Sequence, residues 1–158
     1  MTPASPTDYG DYSSFANASS TVLSTLRIGA LTDAETSATT DVNAQGDDTT
    51  DLADEDGVTL PAYLVQGVAS SITVNTTNTT GATAYLNAWI DYNNNGVLTD
   101  AGEQIASNVN IITGTNGGTV NLNFNVPTNA VTAAALIGAR FRLTNVTTPG
   151  STGGVGHR

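Results

Sequence analysis

The sequence contains no cysteine, no lysine and a single histidine. Without cysteine there is no disulfide framework, no thiolate nucleophile and no zinc–sulfur site. Without lysine the basic side chains are Arg27, Arg140, Arg142 and Arg158, set against 14 acids, and the net charge is −10. A face basic enough to neutralise phosphates cannot be assembled from four arginines, so nucleic acid is excluded as a partner. An anionic membrane surface repels the chain for the same reason. No apolar run approaches the roughly 20 residues of a membrane span. The opening Met1-Thr2-Pro3 is polar and unlike a signal peptide, so the chain reads as a mature or excised segment, with export inferred rather than seen. Cations are the partners that this charge favours.

What is abundant is Thr, Asn, Ala and Gly, and hydrophobic residues make up 39% of the 158 positions. Thr suits strands, Asn and Gly suit turns, and the strong helix formers Lys, Glu and Arg are scarce. Residues 1–20 read as an extended arm or edge strand, and 21–158 as one β domain. Strand patterns are predicted at 22–31, 58–65 with a break near Pro61, 70–76, 82–91, 104–113, 119–126 and 137–146. In the segment 82–91, Ala84, Leu86, Ala88 and Ile90 share one face, with Tyr85 and Trp89 on the other. In 119–126, Val120, Leu122, Phe124 and Val126 alternate with Asn121, Asn123 and Asn125. In 137–146, Ala139, Phe141 and Leu143 point inward and Arg140 and Arg142 outward. Thr128 and Asn129 are candidate N-caps for a short helical turn in the Ala-rich stretch that follows. Seven or so short strands between turn clusters predict an antiparallel β-sandwich, jelly-roll or immunoglobulin-like, with long calcium-binding loops.

The sharpest motif runs from Asp91 to Glu103, DYNNNGVLTDAGE. Side-chain oxygens recur at Asp91, Asn93 and Asn95, an alternation that lets a tight loop wrap a hard cation. Gly96 permits the reversal, the Val97 carbonyl adds an oxygen, and Asp100 and Glu103 supply distal carboxylates. An EF-hand loop wants its last acid at the twelfth position, which is Gly102, so Glu103 comes one residue late and the loop is a relative of that template. Two amide ligands lower the loop's charge and predict weak affinity, about 10⁻⁴–10⁻³ M. The competing reading is an Asn-rich turn whose side chains bond only their own backbone. A second acidic group comprises Asp47, Asp48, Asp51, Asp54, Glu55 and Asp56, with Asp33 and Glu35 upstream. Crowded carboxylates repel unless a cation joins them, and the alternative is a solvated acidic loop.

Catalysis has little support. His157 is the penultimate residue of a Gly-rich tail, where nothing rigid would hold a base. The paired carboxylates already sit at metal-loop spacing, and the chain is expected not to be an enzyme. Trp89 and Tyr85 could stack on a sugar, which makes a carbohydrate-binding module the alternative function. Sequons occur at Asn17, Asn75, Asn78 and Asn145.

In order along the chain come DYGD (8–11), LTDAE (31–35), GDD, DEDGV, AWIDYNNNG with a following DAGE, a VP at Pro127 and ARFRL (139–143). This succession resembles a bacterial GEVED-type domain of secreted or surface proteins. The resemblance implies a calcium-binding, non-catalytic β-sandwich, with Asp91, Asn93, Asn95, Glu103 and acids of the DEDG segment as ligands. It departs at the end, where the chain reads GSTGGVGHR in place of the closing GEVEDY strand. A sandwich lacking a strand exposes a sheet edge. The expected role is therefore a calcium-stabilised extracellular structural or adhesion module, with calcium ions, other copies of itself or neighbouring surface-protein domains as partners. A self-assembling filament subunit joined by strand donation from residues 1–20 is one form of it.

Overall fold

The computed structural model describes residues 7–9, 13, 15, 19–30, 57–131 and 137–147. Nine strands lie among them, and all their pairings are antiparallel. One sheet is centred on β5 (Ala69–Asn78), which pairs β8 (Thr115–Asn125) along one edge. On its other edge lie β3 (Leu26–Ile28) and β4 (Val58–Thr59). The second sheet places β6 (Ala84–Ile90) between β7 (Gln104–Ile111) and β9 (Ala139–Thr144). Apart from both, β1 (Thr7–Tyr9) pairs β2 (Ser19–Thr21).

The apolar alternation seen in the sequence decides which faces meet. Ile72 opposes Leu122 and Val74 opposes Val120, so both strands turn the same face inward. From the other sheet Ala84, Leu86, Ala88 and Ile90 meet Phe141 and Leu143 in the same buried core. Two inner faces sharing one core make the chain an antiparallel β-sandwich. Each fully buried Leu or Ile there contributes about 1.5–3 kcal/mol. The chain changes sheets between β7 and β8 at Gly114, whose φ of 90° needs glycine and whose N–H is donated to the Asn78 carbonyl at 2.8 Å.

Several predicted strands are shorter or divided. The stretch 22–31 holds only β3, because a turn closes with Leu26 N–H on the Leu23 carbonyl. In 58–65 only Val58 and Thr59 pair, and the chain leaves the sheet before Pro61. Conversely β5 runs past both predicted ends and β8 starts four residues before its predicted start, because Thr and Asn support a ladder wherever a partner strand continues. Arg140 and Arg142 do point away from the core, but the outer face is covered and they are 4% and 1% exposed. The Ala-rich turn predicted after Asn129 lies mostly outside the described residues, as does His157.

Candidate metal centre

The Asp91–Glu103 loop joins two neighbouring strands, and that hairpin brings its ends together. Trp89 stands opposite Gln104, and Ile90 N–H is donated to the Glu103 carbonyl at 2.9 Å. Asp91 follows the last residue of β6 and Glu103 precedes the first of β7, so both acids sit at one end of the pair. Between them the chain reverses through Asn94 and Gly96, with φ of 55° and 79°. Asparagine and glycine are the residues that tolerate this conformation.

The first half of the loop is knit by its own side chains. Asp91 accepts the Asn95 N–H on one oxygen at 3.1 Å and the Gly96 N–H on the other at 2.8 Å. Asn93 Oδ1 accepts the Asn95 N–H at 3.0 Å, and Asn95 Oδ1 accepts the Val97 N–H at 2.8 Å. Both amide groups turn their Nδ2 to Asp100, donating to its Oδ2 at 2.8 Å each. Those two amides hold the Asp100 carboxyl below its ordinary value. Asp91 is buried, while Asn93, Asn95, Val97 and Asp100 are exposed. This half is the self-bonded Asn turn that the competing reading describes.

Glu103 does not fit that reading. It is 3% exposed, yet neither carboxylate oxygen has a hydrogen-bond partner among the described residues. Burial, then the charges of Asp91 and Asp100, push its carboxyl above the usual glutamate range. The backbone N–H groups of Asn93 and Asp100 lean toward it and offset part of this, without reaching hydrogen-bonding geometry. Tyr92 lies within reach of its charge, 3% exposed, with its hydroxyl also buried and without a hydrogen-bond partner among the described residues. Its pKa is pushed up to about 12 by burial and then by the Glu103 charge. Buried polar groups are nearly always partnered, and an orphaned carboxylate is the costliest exception.

Of the sequence-predicted ligands, the hairpin gathers Asp91, Asn93, Asn95, Val97, Asp100 and Glu103 on one loop. Asp33, Glu35, Asp47, Asp48, Asp54 and Asp56 lie outside the described residues. Among the described residues no three acidic or histidine side chains converge as a ready-made metal cluster. The site offers instead two buried carboxylates with amide and main-chain oxygens around them, a donor set suited to a hard cation.

Residues 85–156 match the GEVED domain. The GEVED stretch takes in the whole Asp91–Glu103 loop together with nearly all of β6 and all of β7, β8 and β9. The resemblance read from the sequence holds across those residues. No curated protein and no solved structure matches the chain at a significant level.

Beside this loop lies a second cluster; the arm's aromatics Tyr9, Tyr12 and Phe15 are candidate groove anchors from sequence, but the residues that Phe15 meets are not foreseen. Phe15, Trp89 and Leu98 form their own buried group, outside the main core. The Arg140 guanidinium lies 5.1 Å from the centroid of the Phe15 ring. Trp89 is thus 5% exposed and presents no open platform for a sugar. Nothing in local periodicity links Phe15 to Trp89 and Leu98, because they are more than seventy residues away along the chain.

Proposed function

We propose that the protein is a calcium-stabilised, non-catalytic structural module working outside the cell, with the Asp91–Glu103 loop as its cation site. The observation that carries this reading is Glu103, a buried carboxylate with no hydrogen-bond partner among the described residues. A divalent cation between Asp91 and Glu103 would neutralise both charges, and the Asn93, Asn95 and Val97 oxygens would fill its remaining positions. Asp100 would complete the shell once its amide partners turned their oxygens inward. A bound cation would supply cross-linking, in a chain with no disulfide, and no reaction chemistry. Calcium suits the donor set better than magnesium, which prefers fewer protein ligands and tighter octahedral geometry.

Strand donation into a filament is a narrower form of this reading. In the described residues Thr7–Tyr9 pairs with Ser19–Thr21 of its own chain, and Phe15 sits on its own domain. Donation would require these contacts to be given up first.

Calorimetry with calcium chloride on chelator-treated protein tests the cation site. The expected result is binding in the submillimolar to millimolar range, with one site lost in Asp91→Ala. An unchanged stoichiometry in that variant would remove the loop from the account.

A further inference from the structure

The cluster beside the loop joins two parts of the molecule that the sequence keeps far apart. Phe15 comes from the N-terminal segment between β1 and β2, and Trp89 from the outer face of β6. Leu98 comes from the middle of the candidate metal loop, between the Asn93–Val97 oxygens and the two distal acids. All three are buried, at 7%, 5% and 4% exposure, and Arg140 of β9 stacks on Phe15. One wall of the Phe15 seat is therefore a side chain of the loop, Leu98, and the loop's shape sets where that wall stands.

We infer that this seat is an aromatic anchor site for the N-terminal segment, and that cation binding in the loop controls its occupancy. The inference rests on the cation reading above and adds a regulated contact to it. The physical link is short. Without a cation, Asp91, Asp100 and Glu103 share one loop with no positive charge among them, and their repulsion favours a wider loop. Drawing their oxygens onto one ion fixes the turn that carries Leu98. The apolar wall then stands where Phe15 can bury its ring against Trp89. A seat that forms in one loop state and dissolves in the other gives differential contact, which is what coupling between two sites requires. Coupling is also reciprocal, so seating Phe15 tightens cation binding by the factor that the cation tightens seating.

Two properties of the chain make this measurable. Trp89 is the sole tryptophan, so intrinsic fluorescence reports on the seat directly. Chymotrypsin cuts after aromatic residues, and Phe15 is a substrate when its ring leaves the seat. Chelator-treated full-length protein is titrated with calcium chloride while cleavage after Phe15 is followed by mass spectrometry. Saturating calcium should slow that cleavage about tenfold and shift Trp89 emission to the blue, and Phe15→Ala should weaken calcium binding by a similar factor. Leu98→Ala should still bind calcium but lose most of the protection. If calorimetry shows calcium binding while cleavage and Trp89 emission stay the same, the coupling is wrong and the cation site survives. If the native protein binds no calcium, both fall together.

Discussion

At the corner where β5 ends, Asn78 is fully buried and every polar atom of its side chain is used. Its Nδ2 donates to the Ala82 carbonyl at 2.8 Å and the Ile111 carbonyl at 2.7 Å. Its Oδ1 accepts the Thr80 N–H at 3.2 Å and the Thr80 hydroxyl at 2.8 Å. At the other end of the same sandwich, Glu103 is also buried and has no hydrogen-bond partner for either oxygen among the described residues. Both corners are turns rich in Asn, Thr and Gly, and composition does not tell them apart. The difference is that one closes its hydrogen bonds within the protein and the other leaves a charge without a counterpart. A closed corner is a staple. An open, charged corner at this depth is costly by itself and makes sense when something from solution completes it.

The largest effect should come from breaking the closed corner. Asn78→Ala removes both donated bonds and leaves the buried Ile111 carbonyl short of a partner, while the part-buried Ala82 carbonyl keeps the Thr80 hydroxyl at 3.2 Å. The abandoned Ile111 carbonyl costs about 1–3 kcal/mol and the other lost bonds of Asn78 add to it, so a loss of about 3 kcal/mol is expected. Denaturant unfolding should give the same loss with calcium and with chelator. A loss that appears only in calcium would mean the corner is not independent of the metal loop. The same burial means that the sequon at Asn78 cannot carry a glycan in the folded protein, whereas Asn145 is exposed in the bend after β9.

Next comes the open corner under calcium. A ligand at a hundredfold excess over its dissociation constant stabilises the native state by about 2.7 kcal/mol. Chelator should remove that increment from the native protein and change nothing in Glu103→Gln. Without calcium the order reverses. Glu103→Gln deletes a buried, unpartnered charge while keeping its shape, and the variant should be the more stable protein by about 1 kcal/mol. A variant weaker than native in both conditions would make Glu103 an ordinary structural residue.

The same contrast explains what could be read in advance. The inner faces of β6 and β8 were legible because alternating apolar residues leave one choice of face, and the sandwich follows from two such faces. The ligand spacing from Asp91 to Glu103 was legible because alternate oxygens on a Gly-bearing turn are a local pattern. Asn78 was not, because its partners Ala82 and Ile111 come from a turn and a different sheet. The seat of Phe15 against Trp89 and Leu98 was not, for the same reason over a longer distance. The turn that divides 22–31 hid within an apolar run, since Val22, Leu23 and Leu26 read alike as strand. Contacts set by topology leave no mark on the neighbours of a residue in sequence.

The smallest effect is in pH, and its sign separates the two loop states. In the calcium-free protein the Glu103 carboxyl titrates above its ordinary value of 4.5, because burial and the Asp91 and Asp100 charges oppose ionisation. The native state then holds its proton at a pH where the unfolded chain has lost it. Stability from this group therefore falls as pH rises through the raised value and is recovered as pH drops toward 4.5. Asp100 acts in the opposite direction and lower down, since the Asn93 and Asn95 amides hold its carboxyl below 3.8 and their help is lost only in stronger acid. Between neutrality and about pH 5, Glu103 should thus dominate the loop. Acidification also reduces the general repulsion of a chain with charge −10, so the quantity to follow is the native melting temperature minus that of Glu103→Gln. With chelator this difference should start negative at pH 7 and shrink toward zero as the pH falls. With calcium it should start positive and shrink, because protons then compete with the cation for the same carboxylate. A difference that stays flat in chelator would show that Glu103 is not held as an uncompensated charge, and the contrast between the two corners would be lost.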